Sequence, residues 1–401
     1  MTTFHAVDLY QLDELLSDEE RAIRDGVRRW VEERFLPVVV THYRAGTFPL
    51  ELLPELAELK IFGPTIQGHD CPGLGNIAAG LMMRELERGD SGLRTFASVQ
   101  GSLAMSAIDL FGSEEQKNRW LPAMARATKL GCFALTEPDF GSNPAGLRCH
   151  AQKTAGGYTL NGNKKWIGNG TIADVAVVWA KLGNGAGEST ESVDTIRGFL
   201  VEKGTPGFSA RLMEGKLSLR AALTAELTFD NCSIPEDALL PKSAGLRSPL
   251  SCLNHARYGI AWGAIGAAMA CYDEARQYAL RRRQFNQPIA GFQLVQAKLA
   301  RMLTEITKAQ LLAYHLGRLK DAGRARPYHI SLAKMNNVEI ALEVARSARD
   351  ILGGVGILDE YQCFRHMCNL ESVKTYEGTH DIHLLVLGQH ITGIPAFACG
   401  I

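Results

Sequence analysis

The chain has 401 residues, 46% hydrophobic and 21% charged, too long for one ordinary core, so two or three domains are expected. Its 43 Lys and Arg balance 43 Asp and Glu, which leaves no overall basic footprint for nucleic acid. No apolar run approaches the roughly 20 residues needed to cross a bilayer.

Residues 1–20 have neither a basic region nor an apolar core and turn acidic, so no targeting segment is expected and the chain reads as cytoplasmic and bacterial-type. Ser17-x-x-Glu20 is a capping box, and the amphipathic pattern after it predicts a helix up to Pro37. Pro64 to Gly75 reads as a loop. Gly112 closes one helix, and Ser113-x-x-Gln116 opens the next. From Gly131 to Pro241 the periodicity falls towards two, which predicts a small β-domain. Tyr158-Thr159-Leu160 runs into Asn161-Gly162, a hairpin-type turn signal. Strands are expected at Asp174 to Leu182, at Gly198 to Lys203 and at Ala225 to Asn231, where Leu227 and Phe229 share a face. A polar loop is expected over Gly183 to Thr195.

Helical sequence then resumes. Tyr258 to Cys271 is rich in Gly and Ala and reads as a tightly packed interior helix. Phe292 to Leu319 carries an apolar stripe at Val295, Leu299, Met302, Leu303, Ile306 and Ala309, one face of a helix. Ser331 to Leu352 and His380 to Gln389 are also predicted helices, and long helices with short connections suggest a bundle. The expected domains are 1–130, 131–243 and 244–401. The nine cysteines are scattered without a C-x-x-C pair, the pattern of reduced thiols.

Five segments could carry chemistry. Gly131 to Gly141 with Ser142 offers backbone donors, hydroxyls and acids, or is a polar loop. Trp166, between turn signals, is a core anchor or a face for a planar cofactor. Gly353-Gly354-Val355-Gly356 allows close backbone approach to a ligand, or simply ends a helix. Its G-G-x-G spacing lacks a preceding strand and is no dinucleotide fingerprint. Arg281 to Arg283 answer a helix dipole or a pyrophosphate. Tyr376-Glu377-Gly378-Thr379 breaks helical sequence before His380. It places a carboxylate at a turn facing a cleft, or is a helix start with Thr379 as N-cap. His380, Asp381 and His383 lack a partner cluster, so no metal site is expected.

Together, and in this order, LTEP at Leu135 to Pro138, KWI at Lys165 to Ile167, RRQF at Arg282 to Phe285, GG-x-G at Gly353 to Gly356 and YEGT at Tyr376 to Thr379 resemble the acyl-CoA dehydrogenase family along nearly the whole chain. ELERGDSGLR at Glu85 to Arg94, CLNHARYGIAWG at Cys252 to Gly263, ARDILGG at Ala348 to Gly354 and TYEGTHDIH at Thr375 to His383 are most similar to its glutaryl-CoA dehydrogenases. The resemblance implies a mainly α fold with a β insert: an N-terminal helical domain, a middle β-barrel and a C-terminal four-helix bundle, usually as a homotetramer. It implies FAD as cofactor, an acyl-CoA substrate and electron-transfer flavoprotein as electron acceptor.

By the same resemblance Thr136, Ser142 and Trp166 would meet the FAD. Arg282, Phe285, Gln293, Gly353, Gly354 and Gly356 would meet its phosphates and adenine end, from a neighbouring subunit, and Thr379 would also contact it. Glu377 would take the α-proton, and its backbone N–H with a flavin ribityl hydroxyl would stabilise the developing enolate. In water its pKa of roughly 4.3 makes a feeble base, and burial would raise it. Arg94, with Glu87 and Thr95 beside it, would hold a distal carboxylate. Ser98, Ser142, Arg257 and Tyr376 complete the expected substrate contacts.

Gly168, Asn143, Asn286, Cys71, Val355 and Lys374 depart from the family pattern, which keeps other acyl groups open. The alternatives are a non-decarboxylating short-chain dehydrogenase, an acyl-CoA oxidase, and a catalytically silent FAD- or CoA-binding protein.

Overall fold

The computed structural model describes residues 4, 7–183 and 192–396. Residues 184–191 of the expected polar loop, and Cys399, lie outside the described residues.

Seven helices form the first part: α1 Asp18–Trp30, α2 Leu36–Ala45, α3 Leu53–Glu58, α4 Asn76–Gly89, α5 Ser91–Ala97, α6 Ser106–Phe111 and α7 Glu114–Ala125. The two capping boxes form as the sequence dictates. Ser17 accepts from the Glu20 amide and Ser113 from the Gln116 amide, each with the reciprocal side-chain bond. Pro37, however, does not end the first helix. A π-type segment, Val31–Phe35, takes the Leu36 N–H back to the Val31 carbonyl. The missing amide of Pro37 therefore falls in the first turn of α2, where no i−4 partner is required.

Every residue of α4 from Ile77 to Gly89 is buried, the mark of an interior helix. Its charged side chains must therefore find partners. Glu85 accepts from Arg28, Arg84 and Arg88 at 2.9, 3.0 and 2.9 Å.

The middle part is a curled sheet of β1 Gly131–Ala134, β2 His150–Thr154, β3 Gly157–Gly168, β4 Val175–Gly183, β5 Ile196–Glu202, β6 Phe208–Leu212 and β7 Thr224–Pro235. Strand β4 runs parallel to β1 and then to β2, and antiparallel to β5. The order continues β2-β3-β7-β6 through antiparallel pairs. The barrel expected from the resemblance is thus a curled sheet with β5 and β6 at its ends. Asn161-Gly162 is not the hairpin turn that the dipeptide signalled. It lies inside β3 as a bulge opposite β7, and the hairpin turn falls between Thr154 and Gly157. Gly162 sits at φ +141°, and a Cβ there would lie 2.8 Å from the Cys149 Cα. The glycine is required by close backbone approach rather than by chain reversal.

The last part holds α8 Arg247–Arg281, a short hairpin of β8 Arg283–Gln284 and β9 Gln287–Pro288, α9 Gln293–Asp321, α10 Pro327–Leu352, α11 Cys363–Thr375 and α12 His380–Thr392. Helices α8 to α11 pack side by side, and α12 packs on α10. The Gly/Ala-rich stretch lets α8 press directly on α4. A Cβ on Gly266 would lie 1.8 Å from the Arg84 carbonyl oxygen, and one on Gly80 would meet the Trp262 ring. Small residues at this crossing bring the two helices close enough for their polar side chains to interlock.

Candidate active site

The turn between α11 and α12 is the centre of the site. Tyr376 ends α11 in extended backbone, and Thr379 is the N-cap of α12, its hydroxyl accepting from the Ile382 amide at 3.2 Å. Between them Glu377 takes φ +53° and Gly378 φ +89°. Left-handed backbone is uncommon outside glycine and persists only where the surroundings enforce it. A Cβ on Gly378 would lie 2.9 Å from the His383 Nε2, so glycine alone fits there.

Buried cations enforce the turn. Lys334, on α10 and 1% exposed, donates to the carbonyls of Tyr376 (3.0 Å) and Gly378 (2.7 Å). Arg257, on α8, donates from Nε to the Glu377 carbonyl at 2.8 Å. With three successive carbonyls turned towards cations, the Glu377 side chain is directed elsewhere. Its Oε2 is shut off from water and has no hydrogen-bond partner. Burial raises the carboxyl's pKa, and Arg94, Arg257 and Lys334 oppose that rise. Burial pushes Lys334 down to about 7 against the pull of Glu377. His383, whose Nδ1 lies 3.0 Å from the Ser331 hydroxyl, is pushed down to about 3, chiefly by burial, and is neutral at pH 7.

The second half of the site comes from α4 and α5. Arg94 is fully buried, and its Nε donates to Glu87 Oε2 at 2.6 Å. Ser91 donates to the other Glu87 oxygen at 2.8 Å. The Arg94 Nη2 donates to the Tyr376 hydroxyl, and Thr95 Oγ1 lies 3.4 Å from that hydroxyl. Arg94 Nη1 has no partner, nor has the Ser98 hydroxyl one turn further on. Burial works against the Arg94 charge, but Glu87, Tyr376 and Glu377 outweigh it and hold the pKa above its ordinary value. Burial pushes the Tyr376 phenol up to about 12. Gly263 of α8 makes room for the pair, since a Cβ there would lie 2.0 Å from Glu87 Oε2 and 3.2 Å from Arg94 Nε.

The sheet reaches this region at the end of β3. A Cβ on Gly168 would lie 2.9 Å from the Val99 Cγ2, next to Ser98. Thr136 is half-buried, and its carbonyl accepts from the Lys165 amide at 2.8 Å. A buried ion pair sets that segment: Lys164 Nζ donates to Glu137 at 2.9 Å and to the Leu135 carbonyl at 3.0 Å. Trp166 is 59% exposed, and Ser142 lies on the surface.

The structure therefore brings Glu87, Arg94, Thr95, Ser98, Arg257, Tyr376 and Glu377 to one place. It does not bring Arg282, Phe285, Gln293, Gly353 and Gly354 there. All five are exposed on the single chain, Phe285 by 88%, and only Gly356 of that group is buried. Lys374, one of the departures from the family pattern, pairs with Glu339 at 2.5 Å. Sequence reasoning passed over Lys334. Its signal is a lysine within the buried stripe Ile330, Ala333, Asn337, Val338 and Ala341 of α10.

Comparisons with known proteins cover this whole architecture. The N-terminal, middle and C-terminal domains of acyl-CoA dehydrogenases match residues 17–128, 132–232 and 243–392. A glutaryl-CoA dehydrogenase from Mycobacterium smegmatis, solved in complex with FADH2, is 49% identical with a TM-score of 0.94, over 98% of this chain and 100% of its own. Butyryl-CoA dehydrogenase from Megasphaera elsdenii is 31% identical with a TM-score of 0.88, over 94% and 98%. An acyl-CoA dehydrogenase of Bacillus subtilis is 34% identical over 380 residues, 94% of this chain and 99% of its own. With three domains matched in order and relatives aligned end to end, the chain belongs to the acyl-CoA dehydrogenase family.

Proposed function

We propose that this chain is an FAD-dependent dehydrogenase of a short acyl-CoA, with Glu377 as the base and glutaryl-CoA as the substrate, oxidised and decarboxylated to crotonyl-CoA and carbon dioxide. The observation that carries the reading is two unsatisfied groups of one site, Glu377 Oε2 and Arg94 Nη1, both buried and both without a partner. Buried polar atoms are ordinarily satisfied, so each exception calls for a reason. One is suited to take a proton, the other to bind a carboxylate.

The residues fit a flavin. Trp166 is 59% exposed, and three residues on, the buried Asn169 Nδ2 has no partner. Gly353 and Gly354 leave open space where a Cβ would stand, room for phosphates to approach backbone. When bound, FAD supplies the acceptor for the β-hydrogen, which leaves as hydride.

Glu377 removes the α-proton, and its desolvated carboxylate is a stronger base than one in water. The Glu377 N–H stabilises the oxygen of the developing enolate. Arg94 binds the distal carboxylate through Nη1 while Glu87 fixes the guanidinium from the opposite side, a geometry suited to one more anion. Once the double bond forms, the γ-carboxylate sits on the allylic carbon, vinylogous to the thioester carbonyl, which can accept the electron pair of the bond to the carboxyl carbon. Its C–C bond can break to release carbon dioxide, and a proton returns to the carbon it leaves. Arg257 and Tyr376 hold the turn and the arginine in these positions.

Electron-transfer flavoprotein as acceptor, a homotetramer and a cytoplasmic location belong to the same proposal. Exposed apolar side chains at Phe285 and Leu294 (88% and 80%) support subunit contacts, and no described helix is long and apolar enough to cross a membrane. The base is tested by Glu377→Gln. The variant should retain FAD yet lose anaerobic bleaching of the flavin by substrate, and bleaching at the parent's rate would remove Glu377 from the role.

A further inference from the structure

We propose that Lys334 is a positioning residue for proton abstraction: its ammonium, shared between the Tyr376 and Gly378 carbonyls, holds the Glu377 turn left-handed and supplies positive potential that keeps the carboxylate ionised. The inference rests on Glu377 being the base.

Three observations carry it. Lys334 is 1% exposed and donates to the carbonyls on both sides of Glu377, at 3.0 and 2.7 Å. Glu377 itself stands at φ +53°, a conformation that is strained for a non-glycine residue and needs external support. Arg257 holds only the middle carbonyl, so without Lys334 the two flanking peptide groups would lose a buried donor. Ser331, one turn earlier on α10, reaches His383 at 3.0 Å. A single face of α10 therefore contacts both the turn and the helix that follows it.

The charged and titratable groups around Lys334 define what its removal would do. Glu377 attracts it, while Arg257 from α8 and Arg94 from α5 repel it. His383 and His380 belong to α12; His383 is held neutral by burial together with Lys334 and Arg257. Tyr376 lends only its carbonyl. Arg94 already faces Glu87 at 2.6 Å, and Arg257 is spent on a backbone carbonyl. Lys334, like Arg257, faces no other carboxylate, so its charge acts on Glu377 without competition from a second anion. Removing it should raise the pKa of Glu377, because a nearby positive charge favours the ionised form.

The test compares holoenzymes of Lys334→Met and Lys334→Arg with the parent by anaerobic flavin bleaching with glutaryl-CoA and butyryl-CoA across pH. Flavin content is measured on each. Lys334→Met should bleach about tenfold more slowly or worse, with the midpoint of its acid limb raised by about one unit. Lys334→Arg should keep the midpoint within about 0.3 unit. A methionine variant that slows but keeps the parent's midpoint overturns the proposal, since a merely structural lysine would act that way. Where the methionine variant fails to bind FAD, the arginine variant decides, and a rise of a full unit in its midpoint overturns the proposal. Bleaching retained by Glu377→Gln would instead fail the base reading, a distinct outcome.

Discussion

Replacing Arg94 by Gln separates recognition of the distal carboxylate from the chemistry at the α-carbon. The guanidinium is fully buried, bound on one side by Glu87 at 2.6 Å, with Nη1 open. A substrate carboxylate about 4 Å away would interact with a full charge by roughly 4 kcal/mol at an effective dielectric constant near 20. Glu87 already neutralises part of that charge, so about 2–3 kcal/mol remains for the substrate, or roughly 30- to 200-fold in kcat/KM. Arg94→Gln also leaves Glu87 buried without its cation, which adds repulsion and destabilises the fold. The double variant Glu87→Gln/Arg94→Gln removes that complication. The assay is kcat/KM for glutaryl-CoA and butyryl-CoA in the parent and both variants, alongside Tm. The glutaryl-CoA value should fall by the stated factor in the double variant, while butyryl-CoA changes only a few-fold. Equal losses on the two substrates would refute the reasoning, because a structural arginine cannot tell them apart.

Gly263→Ala would place a methyl group 2.0 Å from Glu87 Oε2; the pair must shift, lowering stability by about 1–3 kcal/mol and narrowing the glutaryl-to-butyryl ratio, read from thermal melts and kcat/KM. Glu85→Gln leaves Arg28, Arg84 and Arg88 without their buried carboxylate and should cost about 3–5 kcal/mol at neutral pH by denaturant unfolding. Burial would raise the Glu85 pKa, but the three arginines hold it well below the usual carboxylate range. The stabilisation is therefore present above the unfolded value of about 4.3 and lost as pH falls through the folded one, so parent and variant should converge in acid.

Much of this molecule is written in local pattern. The capping boxes at Ser17 and Ser113 formed because their bonds close within four residues. The Gly/Ala stretch of α8 became an interior helix because small side chains admit a close neighbour wherever that neighbour comes from. The break at Tyr376 to Thr379 was legible because a helix cannot run through it. The same local signals misled at Asn161-Gly162, where a glycine needed for close approach to Cys149 carried the signature of a turn, and at Pro37, where a π-type segment absorbed the missing amide.

What no local pattern could give is the company each polar side chain keeps. Arg94 meets Tyr376 across 282 positions of sequence, Arg257 meets the Glu377 carbonyl across 120, and Lys334 meets Tyr376 across 42. Sequence alone settled which residues could be charged and which helices they ride on. Only the packing of α4, α5, α8 and α10 around the turn settled which charges are stripped of water and set against one another. The physical reason is that periodicity records which face of a helix is buried, whereas the strength of a charge depends on distance and desolvation, and these exist only once the chain is folded.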